Sequence, residues 1–350
     1  LKLIAFYLPQ FHEIPENDKW WGKGFTDWVN TRESVARFPG HYQPREPYQD
    51  NYYDLAGEPP REWQAQIAKE YGIYGFCYYH YWFKGKRILH KPLDAILQSG
   101  KPDLPFCLSW ANDPWTRSWE GSDEVLEAQD YGEEWDWREH FEFLLPVFKD
   151  ERYIRVDNKP IFLIYRPSDI PRCTEMLQYW QSLARENGLD GIHLIQTLNR
   201  FYNPEIEGFE ARVEFEPGYT MNLTHAHGCH EYVEGYQKPY FLINYDLYWK
   251  YIVDRKASND PIKTYLGAFA DWDNSARAKG EEDPLIFSSV SPEKFATYLD
   301  QQIKKSIEMG SELLFINAWN EWAEGAYLEP DKKYEFQYLE AVRKAVDHNL

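Results

Sequence analysis

Eight short apolar, β-rich runs punctuate this chain, and most of what separates them is helical in pattern. The runs are Lys2–Leu8, Gly75–Tyr81, Pro105–Ala111, Pro160–Tyr165, Ile192–Thr197, Ala211–Phe215, Tyr265–Phe269 and Leu313–Ala318. Most are nearly continuous in apolar residues instead of alternating, which is the pattern of strands covered on both faces. Between them, residues 59–71 repeat Trp63, Ile67 and Tyr71 at helical spacing, and residues 134–149 carry Trp137, Phe141, Leu144, Leu145 and Phe148. Residues 174–187 stop before Gly188, residues 292–309 start behind Ser291 and stop at Gly310, and residues 334–347 close the chain. The sixth unit is the least regular, because its helix, predicted over 240–256, follows a long loop. Alternating strands and helices imply right-handed βαβ units, and eight of them predict an α/β fold, a closed (β/α)8 barrel of the TIM type. A doubly wound open sheet is the alternative arrangement. No linker, repeat or low-complexity tract interrupts residues 1–350, so they read as one domain.

In such a barrel the chemistry sits at the C-terminal ends of the strands. There the sequence places Gln10, His12, His80, Asn112, Asp113, Arg166, Gln196, Glu214, Glu216, Asp271, Asp273, Asn274, Asn320, Glu321 and Glu324. The long connections 9–58 and 112–133 follow strands and are crowded with Trp, Gly and charge. With 15 Trp, 27 Tyr and 20 Phe, the chain has more ring surface than a core asks for, since the polar tips of Trp and Tyr need partners. Flat rings lining a wet cleft suit the C–H faces of sugars, which makes an oligo- or polysaccharide the expected partner. The net charge of -19 would repel nucleic acid and removes the counterion-release contribution to binding it. The four cysteines, at 77, 107, 173 and 229, form no CxxC pair, so zinc-ribbon and redox motifs are absent. No apolar run approaches the ~18 residues of a membrane-spanning helix. The compartment is not readable: periplasmic or extracellular if a leader has been removed, cytoplasmic otherwise.

The sharpest local feature is INAWNEWAEG, residues 316–325. An apolar strand ends, and Glu321 and Glu324 follow three residues apart between Trp319 and Trp322. That spacing puts two carboxyl groups side by side if the segment turns helically. Glycosidic cleavage commonly uses two carboxyls, one as acid and one as base or nucleophile, and crowding them in an apolar cleft keeps one protonated near neutral pH. Two other patterns are weaker. Asp271-Trp272-Asp273 is a DxD triplet of the sort that holds a metal on a nucleotide-sugar, but it follows a barrel strand, the wrong architecture for that use. His225, His227, His230 and Glu231 are irregularly spaced and read as a solvated loop.

FYLPQFHEIPENDKWWGKGFTDWVN (6–30), FPGHYQP (38–44), GFCYYHYWF (75–83), LSWANDPWTRSWEG (108–121) and FINAWNEWAEGAYLEPD (315–331) resemble the WbsX-type family. Its members carry a glycosyltransferase label because their genes lie among polysaccharide-assembly genes, and the family is similar in turn to the endo-α-mannanases of glycoside hydrolase family 99. The resemblance spreads over most of the chain and is weakest between about 168 and 260. It implies a (β/α)8 barrel, no metal or other cofactor, and retention of configuration by an unusual route. One Glu acts as base on the sugar's own 2-hydroxyl, which attacks C1 to give a 1,2-anhydro intermediate; the other protonates the leaving group and then helps water open the ring. Carried over by position, Glu321 is the base and Glu324 the acid. The related hydrolases usually have His where this chain has Ala323.

Attack of O2 on C1 requires O2 trans to the leaving group. Axial O2 with an axial leaving group meets that need, so the expected substrate is an α-manno- or α-rhamno-configured polysaccharide, cleaved endo. A cleft bordered by Trp20, Trp21, Trp28, Trp82, Trp110, Trp115 and Trp119 would suit it. His80, Asn112, Arg117, Asp271 and Asn320 are candidates for bonding sugar hydroxyls or the carboxylates, with Tyr7, His12 and Trp322 beside them. Two alternatives stay open: a glycosyltransferase of O-antigen or capsular polysaccharide assembly, which would need a phosphate-bearing donor although no Gly-rich phosphate loop is evident, and a catalytically silent carbohydrate-binding barrel.

Overall fold

A computed structural model describes residues 1–117, 122–256, 261–279 and 283–349. Eight strands form the barrel: β1 (Lys2–Tyr7), β2 (Gly75–Phe83), β3 (Phe106–Trp110), β4 (Lys159–Ile164), β5 (His193–Leu198), β6 (Ala211–Glu214), β7 (Lys263–Phe269) and β8 (Leu313–Asn317). Every neighbouring pair is parallel, in the order β1-β2-β3-β4-β5-β6-β7-β8. The ring closes where Ile4 of β1 stands opposite Phe315 of β8 on one side and Gly75 of β2 on the other. The expectation of a (β/α)8 barrel therefore holds, and the open sheet is excluded by this closure.

Seven helices cover the barrel: α1 (Glu58–Glu70), α2 (Lys91–Ser99), α3 (Glu134–Phe148), α4 (Cys173–Glu186), α5 (Tyr245–Asp254), α6 (Pro292–Glu308) and α7 (Gln337–Asn349). No helix intervenes between β5 and β6. Among the described residues none is long and apolar enough to cross a membrane. The sixth unit departs from the sequence reading. Its helix starts only at Tyr245, where the Asn244 side chain accepts from the Leu247 amide and so fixes the first turn. Residues 240–244 are a strand instead, antiparallel to His230–Val233 and joined by Phe287–Ser288 in a small separate sheet. The run YFLIN is β-favouring and lies upstream of the cap, so the helix could not extend through it.

The barrel strands are covered on both faces, and the pleat sends alternate side chains into the lumen and out toward the helices. Phe6 stacks on Tyr79 and meets Phe215 edge-on inside the barrel. Tyr7, one residue on, points out and donates to Gln64 of α1. The close approach of β6 and β7 leaves no room for a side chain at Gly267, where an added Cβ would lie 1.9 Å from the Glu214 carbonyl oxygen. Gly267→Ala is expected to destabilise the fold by about 1–3 kcal/mol through forced separation of two paired strands. An unchanged midpoint in urea unfolding would contradict this.

Candidate active site

Past β8 the chain runs through Ala318 and Trp319 into a two-residue bridge, Asn320–Glu321 paired with Ala326–Tyr327, and a single tight turn over Trp322–Glu324. Gly325, at φ 65°, closes the turn against Asp273, whose amide donates to the Glu324 carbonyl at 2.7 Å. Asn320 latches this segment to the residue after β1: its Oδ1 accepts from the Leu8 amide at 2.7 Å and its Nδ2 donates to the Leu8 carbonyl at 2.9 Å. Below the turn lies Glu329, buried, with four neutral donors on one carboxylate: Tyr53 Oη, Gln64 Nε2, Trp319 Nε1 and Trp322 Nε1, at 2.7–3.0 Å. Burial nevertheless pushes its pKa up to about 7. Trp322 is further clamped by stacking on Tyr327, with ring centroids 3.9 Å apart.

Both expected catalytic carboxylates meet one guanidinium. Arg277 donates from Nη2 to Glu321 at 3.0 Å, from Nη1 to Glu324 at 2.5 Å, and from Nη2 to Asp27 at 2.9 Å. The Glu321 side chain is 6% exposed and the Glu324 side chain 23%. Burial, then the charge of Glu324, raises the pKa of Glu321 to about 8, against the pull of Arg277. Around them stand Tyr79 and Tyr81, the lumen-facing residues of β2. Both phenols are pushed up by burial first, then by the charge on Glu321.

Some of the sequence-derived candidates pack around Tyr81, and others lie elsewhere. Trp115 packs against Tyr81 and Trp20, with centroids 5.4 and 5.5 Å apart, and forms an aromatic wall beside the site. Arg117 lies over Trp21 and binds Glu124 and the Trp20 carbonyl, so Trp21 and Arg117 belong to the same wall. Trp119 lies outside the described residues.

His80, Trp82 and Trp110 are corrections. Their strand parity turns them outward, where His80 Nε2 meets His140 Nε2 at 2.9 Å, Trp82 stacks on His140, and Trp110 packs against His140 and Trp180. Burial drives the His80 pKa down to about 3, as suits a neutral packed ring. Tyr7 is outward for the same reason. His12 is buried against the Pro9 carbonyl, with its pKa lowered by burial to about 4. Asn112 ties the post-β3 loop to the Arg166 backbone and Tyr131. Asn320, Trp28 and Trp322 are buried supports, and Trp28 Nε1 donates to the Tyr53 carbonyl.

Asp271 pairs with Arg45 at 2.9 Å, while Asp273 accepts from Gln43 and bonds His41. The DxD triplet is thus engaged by the segment that holds FPGHYQP. Burial alone would raise Asp273, but His41 and Arg45 hold it well below the usual carboxylate range. Sequence reasoning missed Asp27, Tyr79, Tyr81, Arg277 and Glu329. Reading GFCYYHYWF at period two from Cys77 would have reached both tyrosines. Asp27 and Glu329 lie within quoted motifs, and Arg277 has no local signal.

The family description Glycosyltransferase WbsX matches residues 3–342. Two proteins named WxcX, from two strains of Xanthomonas campestris pv. campestris, are 37% identical over 98% of this chain. The chain spans about half the length of these curated relatives, at 49% of each. Among solved structures, the family 99 endo-alpha-mannosidase of Bacteroides thetaiotaomicron superposes with a TM-score of 0.60 at 14% identity, covering 99% of this chain and 96% of that one. A glycoside hydrolase-like protein gives 0.61 at 13%, covering 98% and 93%. These two share the fold. By the extent of the family match, over a barrel whose last strand delivers the Glu321–Glu324 turn, this chain belongs to the WbsX family.

Proposed function

We propose that this chain is a retaining, endo-acting glycoside hydrolase for α-manno- or α-rhamno-configured polysaccharide, working through a 1,2-anhydro sugar. The observation that carries the reading is the carboxylate pair on Arg277 at the C-terminal mouth of the barrel, with Glu321 raised to about 8. The mechanism needs a pair that carries one proton. Burial of Glu321 beside Glu324 supplies such a pair near neutral pH. At rest the proton of the pair sits on Glu321. With substrate bound, the step uses the other arrangement, in which that proton has passed to Glu324, so that ionised Glu321 takes the proton of the 2-hydroxyl as O2 closes on C1 and Glu324 gives its proton to the departing oxygen. A high proton affinity makes Glu321 the better base for a sugar hydroxyl. Water then adds at C1, Glu324 takes its proton, and Glu321 returns one to O2. The Bacteroides enzyme with this fold is named an endo-alpha-mannosidase, which supports the manno configuration.

The family's description favours a second reading, sugar transfer from a phosphate-bearing donor. The net charge of -19 works against it. The test is incubation with α-mannans and rhamnose-containing bacterial polysaccharides, without nucleotide or added metal, followed by measurement of new reducing ends and product size. Early loss of polymer size with new reducing ends is the expected result. Transfer from a nucleotide-sugar to a glycan acceptor, with no cleavage of any polymer, would replace hydrolysis by the second reading. Binding of glycan without either reaction would make the barrel a binding module.

A further inference from the structure

Two motifs, FPGHYQP and DWD, have no part in the chemistry above, and neither does Asp27. They converge on one side chain. Arg37, just before FPGHYQP, donates from Nη2 to the carbonyls of Ser275 at 3.0 Å and Ala278 at 2.5 Å. His41 and Gln43 bind Asp273, and Arg45 binds Asp271. The segment from 271 to 278 is therefore held from one side by residues 37–45, and it presents Arg277 toward the glutamates. From the other side, Asp27, the first residue of the short helix Asp27–Glu33, takes hold of the same guanidinium. The Asp27 carboxylate is fully buried and is also bonded by Asn30.

We propose that Arg277 is a positioning residue: anchored by Asp27 and by the brace of residues 37–45, it sets the separation of Glu321 and Glu324 and the pH at which the pair gives up its proton. This rests on the hydrolase reading for its purpose, but its physics is independent of any substrate. Among the described residues, the charged and titratable groups facing the guanidinium include Asp27, Glu321 and Glu324, with the phenols of Tyr79 and Tyr81 on β2 and of Tyr165 after β4 close to the carboxylates. Among the described residues three carboxylates bind this one guanidinium. Glu324 and Asp27 push the affinity of Glu321 for its proton up, and Arg277 pulls it down. Removing Arg277 and removing the charge of Asp27 must therefore move the pair in opposite directions. A residue that served only as packing would not do this.

The test is a carboxyl-carbon NMR titration of the full chain labelled at Glu, in wild type, Arg277→Met, Arg277→Lys and Asp27→Asn. The Glu321 signal is identified by its loss in Glu321→Gln. The expected result is a midpoint about one pH unit or more higher in Arg277→Met, lower in Asp27→Asn, and near wild type in Arg277→Lys. Alongside, kcat/KM falls about tenfold or more in Arg277→Met, the alkaline limb of its pH profile moves up with the NMR midpoint, and Arg277→Lys restores the position of that limb. A midpoint unmoved in Arg277→Met, or moved the same way in both variants, overturns the proposal. If Arg277→Met does not fold, the downward shift in Asp27→Asn with an unshifted Arg277→Lys carries the test, and its absence overturns it. Shifts of opposite sign without cleavage of any glycan would leave the clamp standing and remove the hydrolase reading. Cleavage that depends on both glutamates, with unmoved midpoints, would do the reverse.

Discussion

Glu321→Gln is expected to lower bond cleavage by about 10²-fold or more while making the protein harder to unfold at pH 8. The first effect follows from losing the base. The second follows from linkage. Burial and the neighbouring Glu324 raise the folded-state pKa of Glu321 from the ordinary 4.5 to about 8. The folded chain then binds this proton more tightly than the unfolded chain does. That contribution to stability is fully present below about pH 4.5 and is lost progressively as pH rises toward 8. Above that range the ionised, buried carboxylate costs on the order of a few kcal/mol, which an uncharged amide does not. Urea unfolding of both proteins at pH 5 and pH 8 checks this: wild type loses stability between them, and the variant loses less. An equal loss in both would show that Glu321 is not the group responsible. Glu324→Gln is expected to match the loss of cleavage on natural glycans. With an activated aryl leaving group, which needs no proton, its deficit should shrink; a deficit that stays constant would remove its role as the acid.

Glu329 is expected to matter as much to the fold as the pair does to turnover. Its carboxylate is the shared acceptor for Tyr53 of the loop after β1, Gln64 of α1, Trp319 just past β8 and Trp322 of the turn that follows Glu321. Glu329→Ala leaves those four donors buried without their acceptor, at about 1–3 kcal/mol for each that finds no substitute, so a loss of roughly 3 kcal/mol or more is expected. Glu329→Gln should not rescue it. An amide turns an N–H₂ toward two of these groups, and in either orientation an indole N–H, of Trp322 or of Trp319, then faces a donor. A Gln variant as stable as wild type, measured by chemical denaturation at pH 6 and pH 8, would contradict this account.

The eight strands were legible because a parallel barrel strand is covered on both faces and shows up as an unbroken apolar run. The same property hid the direction of its side chains. With no polar face to mark solvent, GFCYYHYWF gives the direction of its rings only once one inward residue such as Cys77 is chosen as the start, and His80 and Trp82 were assigned to the site in place of Tyr79 and Tyr81. The two glutamates were legible because they are local, three residues apart after a strand. Their guanidinium was not. Arg277 is 44 residues from Glu321 and 250 from Asp27 in sequence, and only the closed ring makes them neighbours. The DWD triplet follows the seventh strand, as the sequence reading placed it. Its actual partners, Arg45, His41 and Gln43, sit more than 200 residues earlier, where no pattern search would pair them.

The Asn320 latch onto Leu8 makes the turn that bears Glu321 continuous with the seam between the first and last strands. Without the eighth strand in place, Asp27 would be the one carboxylate left of the three that bind Arg277, since Glu321 and Glu324 both follow that strand. The cluster around Arg277 is therefore complete only when the last strand is seated in the ring.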